Sequence, residues 1–546
     1  MSDALEKRIK KHIIGKPHRF LAVSPLGFEQ TLSRELEIIL GESATEQPHA
    51  TGDGKVEFTT KLTEAWKVVA VSRIANRVLM EVASFKAENF RDFEKKAAEI
   101  PWELYFDKRT GNALQTRDES DYSNATLSDT NGPVKSDNAL NIHVTCKHSR
   151  LYHSDAIAER LYKVIEGVSV PLASADTASA TPSAGTPRNA PSQNENRSIQ
   201  QNLYVNFLDD RCTIWLDLAG EELYKRGFER FVNDAPLKET IASAMILEAF
   251  HVNSQLPNLQ DVTPDSVLFD HLELQLLRGH DPRMGTRPPY TILDLMSGSG
   301  TFSLEAASIA NKIIPGTCRD FALKHQPAFK EATWNFITRS ITQSEAKSNT
   351  TAPVTQSDTR GDTSTSVTLN EVKGPVKPRN ATKHPVIAKI LTSDISERAV
   401  SIIKHNIECS PLAQIAPNKT TPTISPQLRD FFSYTAKEIV DTCSDTSPIL
   451  VLNPPYGKRL DFDAPKLYTQ IGKKLTELAR DLHHFGKSLT VAILAPKDDT
   501  RDGAKYTCTA NLLRECPALS PEQTQTAKVI QTSHGGFSLN AFFATI

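Results

Sequence analysis

The sequence predicts an α/β protein: a doubly wound, mostly parallel sheet in the C-terminal part, preceded by a smaller α+β region. Three observations carry this. Tyr290-Thr-Ile-Leu-Asp-Leu295 is a short apolar run, Met296-Ser-Gly-Ser-Gly300 follows it, and Thr301 to Ala310 reads as a helix. Strand, Gly-x-Gly turn, helix is the geometry of a nucleotide-cofactor site in a doubly wound sheet. From Ala235 onward strand-like and helix-like runs alternate, as in a parallel sheet covered by helices. Finally, Ala527 to Thr532 and Phe537 to Ile546 flank Ser533-His-Gly-Gly536, and a two-glycine turn between such runs predicts an antiparallel hairpin.

The elements before Ala235 follow from the same patterns. Phe20 to Ser24 reads as a strand, Leu26 to Leu40 as a helix, and Lys55 to Thr59 alternates as a strand should. Leu62 to Ser72 is helical, Arg77 to Ser84 is a strand, and Phe90 to Ile100 is a helix. It stops before Pro101 because the residue preceding a proline disfavours the helical conformation. Asn141 to Thr145 and Ser154 to Glu166 give a further strand and helix, and Leu203 to Leu218 a two-strand pattern around Asp209-Asp210. Thr110 to Asp137, Ala173 to Ser198 and Ser344 to Lys377 are rich in Ser, Thr, Asn, Asp, Pro and Gly and lack apolar periodicity. Such segments bury too little to offset ordering entropy, so they are expected to be flexible surface inserts.

At 546 residues the chain can hold two or three domains. Lys plus Arg (63) nearly balances Asp plus Glu (65), which counts mildly against a nucleic-acid binder. The basic run Lys7-Arg-Ile-Lys-Lys-His12 can track phosphates or be a solvated arm. Seven cysteines without a CxxC or pairing pattern suggest a reducing compartment and no zinc site. The first residues are charged, and no run of ~18 apolar residues occurs, so neither a signal peptide nor a membrane span is expected.

The glycine loop points to a cofactor class. Gly298 and Gly300 allow a sharp turn and close approach of a ligand. The dinucleotide fingerprint fails, because Ser303 stands where its third glycine belongs, and no Walker lysine is present. A ligand without phosphates remains, such as S-adenosylmethionine. The expected contacts are Asp294 to its ammonium group, with Met296, Ser297, Gly298 and Gly300 around its methionine tail. Pro385 to Asp394 reads as a second strand ending in a carboxylate, followed by a helix capped by Ser396. Asp394 is placed to accept both ribose hydroxyls, with Ile395 beside it, or to cap the helix. Asp430 is a weaker candidate for the adenine amino group, with Phe431 beside the ring; a surface acid before two core aromatics reads almost as well.

The second motif is Asn453-Pro454-Pro455-Tyr456, just after the apolar run Ile449 to Leu452. An exocyclic aromatic amine is a poor nucleophile because its lone pair is delocalised into the ring. The Asn453 side-chain oxygen and the Pro454 carbonyl can accept its two hydrogens and hold it in a more pyramidal geometry. Pro454 and Pro455 fix φ and stiffen the loop. Tyr456 offers a face for base stacking. A turn closing a buried strand would use the same residues.

Together, Asp294-Leu-Met-Ser-Gly-Ser-Gly-Thr-Phe-Ser-Leu-Glu305 and Asn453-Pro-Pro-Tyr-Gly-Lys-Arg459 resemble the RlmL family, bacterial 23S ribosomal RNA guanine-N2 methyltransferases with a THUMP RNA-binding domain. Tyr224-Lys-Arg-Gly-Phe-Glu-Arg and Ala235-Pro-Leu-Lys-Glu-Thr-Ile-Ala are similar to the segments leading into that family's catalytic domain. Gly-Phe28-Glu, Arg73-Ile-Ala-Asn-Arg77, Ile100-Pro-Trp102 and Ser149-Arg-Leu-Tyr-His153 are similar to its N-terminal and THUMP segments. Leu295 and Ser297 replace the Pro and Cys usual before the family's glycines, which implies altered loop packing. The resemblance implies a ferredoxin-like part over 1–70, a THUMP domain over 71–200, and a class I, Rossmann-like methyltransferase domain over 201–546.

It further implies direct methyl transfer from S-adenosylmethionine to the N2 amine of a guanine, in a cytoplasmic protein acting on 23S RNA or on pre-ribosomal particles. Lys458 and Arg459 would hold a flanking phosphate, and Arg73, Arg77 and Lys86 would add RNA contacts. Two other readings stay open. The NPPY motif also serves adenine-N6 DNA and protein-glutamine methyltransferases, and a ribosome-assembly RNA binder without chemistry would share the N-terminal half.

Overall fold

The computed structural model describes residues 3–106, 140–168, 201–232, 236–254, 289–343, 387–415, 422–456, 463–498 and 507–546. The three expected inserts lie outside these residues. In chain order, the first part contains α1 (Asp3–Ile9), β1 (Pro17–Val23), α2 (Glu29–Leu40), β2 (Glu46–Gly52), β3 (Lys55–Lys61), α3 (Leu62–Val71) and β4 (Arg77–Lys86). It continues through α4 (Phe90–Ala98), β5 (Leu140–Lys147), α5 (Ser154–Val168), β6 (Gln201–Leu208) and β7 (Arg211–Asp217). All seven strands form one sheet in the order β2-β3-β1-β4-β7-β6-β5.

Local chemistry explains these elements. In β3, Val56, Phe58 and Thr60 are buried while their neighbours are more exposed, the two-residue period of a half-covered strand. In α2, Leu32, Leu36, Ile39 and Leu40 form one buried stripe. Asn89 starts α4 by accepting from the Asp92 N–H. Asp209 and Asp210 both adopt positive φ (50° and 61°) between β6 and β7, the mirror-image turn that suits a twisted hairpin.

The sheet order corrects one expectation. A border at residue 201 would assign β6 and β7 to the C-terminal domain, yet β7 pairs antiparallel with both β4 and β6 in the first sheet. Ile214 and Leu216 on β7 share a core with Val78 and Met80 on β4. Period alone marks a strand but does not say which sheet it joins.

The second part contains α6 (Glu239–Ser254), β8 (Tyr290–Asp294), α7 (Thr301–Ala310), α8 (Glu331–Gln343), β9 (Ile387–Asp394), α9 (Glu397–Cys409) and β10 (Gln427–Leu428). Then come α10 (Ala436–Cys443), β11 (Ser447–Leu452), α11 (Ala464–His484), β12 (Thr490–Pro496), α12 (Cys508–Glu515), β13 (Lys528–His534) and β14 (Phe537–Thr545). The strand order is β10-β9-β8-β11-β12-β14-β13. The first five strands run parallel; β14 is antiparallel to β12 and to β13. Every residue of β8 and of β12 is buried, as expected for central strands covered on both faces. Gly535 and Gly536 at positive φ close the expected hairpin.

The chain steps outward from β8 to β9 and β10, then returns to the other side of β8 as β11. Ligands of open α/β sheets bind beyond the strand ends at such a reversal. Asp294 ends β8, and Asn453 directly follows β11.

The two sheets are joined through buried ion pairs. Glu248 on α6 is fully buried and accepts from Thr31 Oγ1 (2.7 Å), Arg34 (3.4 Å) and Lys528 Nζ (2.7 Å). Glu305 on α7 takes two Arg226 hydrogen bonds at 3.0 Å and faces Arg73 at 3.8 Å. Among the described residues, no helix is long and apolar enough to cross a membrane.

Candidate active site

The site starts from the burial of β8, which carries the Asp294 carboxyl into the protein interior. Asp294 Oδ2 accepts from the Ser303 N–H (3.1 Å) and Ser303 Oγ (2.6 Å). Asp294 Oδ1 is buried without a hydrogen-bond partner. Burial pushes the carboxyl up from 3.8 to about 7; the Ser303 hydrogen bonds oppose this and the nearby Asp394 charge adds to it. Ser303, the residue that breaks the dinucleotide fingerprint, thus anchors Asp294 from the first turn of α7.

The glycine loop is fastened to the end of β9. Ser297 N–H and Oγ both donate to the Ser393 carbonyl, at 3.1 and 2.9 Å. Asp394 Oδ2 accepts from the Gly298 N–H at 2.8 Å, and its Oδ1 accepts from the Ser396 N–H at 2.9 Å. Both oxygens expected to receive ribose hydroxyls are therefore engaged with backbone donors. Gly298 has φ 54° and open space where a Cβ would point. Gly300 has φ 79°, and a Cβ there would stand 3.0 Å from Ile403. Close approach is thus needed by α9 at Gly300 and is free for a ligand at Gly298. Leu295 packs in the second core, Met296 lies half-buried against it, and Ile395 is 72% exposed beside Asp394.

Asp430 and Phe431 depart from expectation. The Asp430 side chain accepts from the Phe432 N–H at 3.0 Å and caps the short turn Phe431–Ser433. Phe431 is 1% exposed in the core, so its ring is not free to lie beside a ligand. The surface-acid reading, with core aromatics behind it, describes this segment.

Across β8, the β11 strand delivers Asn453, half-buried, with its Oδ1 lacking a partner. Val451 pairs with Asp294 in register, so the two orphan acceptor oxygens stand at neighbouring strand ends. Pro454 is buried and Pro455 exposed. Tyr456 is 8% exposed and packs edge-on to Phe537 at 5.8 Å, and burial raises its phenol pKa well above the ordinary value. The ring is therefore seated in the core next to the terminal hairpin rather than as an open platform.

The expected RNA contacts divide. Arg73 is 1% exposed and donates to the Ser308 and Ile313 carbonyls, so it is an internal strut and not a surface contact. Arg77 is mostly buried, pairing with Asp217 at 2.7 Å and the Gly220 carbonyl at 2.9 Å. Arg73 lies in the junction between α3 and β4 and ties it to the second half, and Arg77 opens β4 and pairs within the first sheet, roles that a charge pattern cannot reveal. Lys86 is exposed and pairs with Glu88 at 2.7 Å. Lys458 and Arg459 lie outside the described residues.

Two residues of the site region had no role assigned from the sequence. Arg230 donates to Thr301 Oγ1 at 2.9 Å and pairs with Glu239. Asn406 donates to the Ser299 carbonyl at 3.0 Å and bridges both backbone groups of Phe231. They brace the glycine loop from outside. The segment Tyr224 to Arg230 carried a signal for the first; Asn406, one polar residue in an amphipathic helix, carried none.

A parallel sheet with an antiparallel terminal hairpin, a glycine loop after its first strand and an Asn-Pro-Pro-Tyr turn after its fourth defines the α/β methyltransferase class. Residues 281–497 match the family model described as RMKL-like, methyltransferase domain, and residues 19–79 match the RlmL ferredoxin-like domain. The chain therefore carries both of these domains, and the resemblance to the RlmL family holds. It is 24% identical over 440 residues to the ribosomal RNA large subunit methyltransferase K/L of Psychromonas ingrahamii, covering 80% of this chain and 42% of that protein. It thus spans less than half the length of that relative. It is 24% identical over 467 residues to Bacillus subtilis "Putative RNA methyltransferase YpsC", covering 85% of this chain and 86% of that protein. The crystal structure of SMU.472, "a putative methyltransferase complexed with SAH", superposes with a TM-score of 0.55 at 18% identity. That match covers 97% of this chain and 98% of the other, and is a likeness of fold.

Proposed function

We propose that this protein methylates the exocyclic N2 amine of a guanine in 23S ribosomal RNA, using S-adenosylmethionine. One observation carries the reading most: Asp294 Oδ1 and Asn453 Oδ1 are buried acceptors without donors at adjacent strand ends. Buried polar atoms are ordinarily paired, and the two groups this reaction brings together, a donor ammonium and a target amine, are both N–H donors. The large-subunit RNA methyltransferase names of the relatives, and the SAH bound to SMU.472, support the substrate and donor classes.

S-adenosylmethionine, when bound, supplies an electrophilic methyl group. This chain's part is positioning. Asp294 would meet the ammonium, Gly298 would admit close contact, and Asp394, held by its backbone donors, would accept the ribose hydroxyls on its remaining lone pairs. Asn453 Oδ1 and the Pro454 carbonyl accept the amine hydrogens and orient the nitrogen lone pair toward the methyl group. The proton lost after transfer passes to solvent, since a methylated amine bearing positive charge is acidic and needs no strong base. Tyr456 must turn from Phe537 to stack on a guanine extruded from its helix.

The test is tritiated methyl transfer to unmodified 23S RNA followed by nucleoside analysis. N2-methylguanosine is the expected product. Label in N6-methyladenosine, or in protein or DNA instead, would overturn the assignment of the target.

A further inference from the structure

A second cluster of chemistry-bearing side chains lies outside the methyl-transfer site. Glu229, His405 and Cys409 each offer one ligand atom, and the three atoms lie within 4.8 Å of one another. His405 and Cys409 stand one turn apart on α9, with Cys409 Sγ 3.4 Å from His405 Nε2, and residues at this spacing share a helix face. Glu229 arrives from the segment that leads into α6. The cysteine-spacing argument misses the group because its members are far apart in the chain.

The surroundings hold these donors in place. The His405 ring stacks on Phe231 with centroids 3.9 Å apart and planes 18° apart. Asn406 pins the same segment, accepting from the Phe231 N–H at 2.8 Å and donating to the Phe231 carbonyl at 2.9 Å. Two residues from Glu229 the backbone is therefore fastened to α9. His405 and Cys409 are half-buried and Glu229 is exposed, so an ion can enter without opening the fold.

We propose that Glu229, His405 and Cys409 form a binding site for one divalent cation of borderline softness, Zn2+. A carboxylate, an imidazole and a thiolate are the donors zinc takes, and three protein ligands leave a fourth position for water. Tetrahedral bonds of ~2.0–2.3 Å set donor atoms roughly 3.3–3.8 Å apart, so the sulfur–nitrogen pair already fits and the carboxylate closes by a side-chain rotation. Binding forms a Zn–S bond and releases the Cys409 thiol proton to solvent. The ion ties the Glu229 segment to α9, whose Asn406 also holds the Ser299 carbonyl in the glycine loop.

Co2+ titration of the full chain reads the site directly, through the thiolate-to-metal charge-transfer band. One equivalent of Co2+ is expected to bind, and one of Zn2+ to displace it. Cys409→Ser should abolish the band. Glu229→Gln should weaken binding at least about tenfold, the least that loss of an outer partner costs at such sites. Zn2+ should also raise the melting temperature of the wild-type chain but not of Cys409→Ser. Absence of the band in the wild-type chain would overturn the site. So would its persistence in a folded Cys409→Ser variant, or unchanged affinity in Glu229→Gln.

Discussion

At the scale of single residues, Asp294 and Asn453 were legible in the sequence because each directly closes a buried strand next to a turn motif. What the sequence did not show is that each keeps one oxygen unpaired in the interior. This leads to a pH prediction. The folded carboxyl of Asp294 titrates near 7, above its ordinary 3.8. A raised acid stabilises the fold fully below pH 3.8 and loses that contribution as pH rises through about 7. Asp294→Asn should therefore flatten the decline of the denaturation midpoint across that window. Under the proposed function, a cationic ammonium selects the carboxylate, so donor affinity in the wild-type chain should climb through the same window, and calorimetry on Asp294→Asn should show no climb. Asn453→Ala should lower methyl transfer by roughly 100-fold or more, with RNA capture nearly unchanged. Parallel loss of both would make the loop a fold element.

At the scale of elements, the strands and helices with a clear period were readable. The partner of each strand was not, as β6 and β7 show by joining the first sheet. Asp430 shows the same limit at a turn: a carboxylate before aromatics is also what a short capped turn requires. The glycine loop makes a separable prediction. Gly300→Ala meets both positive φ and the Ile403 side chain at 3.0 Å, and the left-handed conformation alone costs an L-residue about 1–2 kcal/mol. Gly298→Ala meets the same backbone cost in open space. Urea denaturation should therefore show Gly300→Ala as the less stable variant. Under the proposed function, donor-binding calorimetry should show Gly298→Ala impaired beyond its stability loss, because its methyl would fill the open space left for the donor at that position. Equal binding by Gly298→Ala and the wild type would place the ligand elsewhere.

At the scale of the whole molecule, the two sheets share charges that neither could bury alone. Glu305 neutralises Arg73 from one half and Arg226 from the connecting segment, and Ser243 Oγ on α6 donates to the same carboxylate at 2.6 Å. Removing one partner of a buried ion pair strands the other and costs about 3–5 kcal/mol. Glu305→Gln, which keeps the shape, should lower stability by that amount in chemical denaturation; a loss below about 1 kcal/mol, typical of surface pairs, would mean the seam is held by apolar packing alone. The sequence could not foretell this network because its members come from distant segments and look like surface charges one by one.

Arg73 carries the lesson into genetics. Under the proposed function, an arginine in the N-terminal half invites substitution as a test of RNA contact, and a cell with Arg73→Ala should indeed lose the proposed modification when grown warm. Yet its guanidinium never meets solvent. The allele should be temperature-sensitive, recover on cooling, and yield to a compensating change on the far side of the seam, which no defect in RNA contact would do.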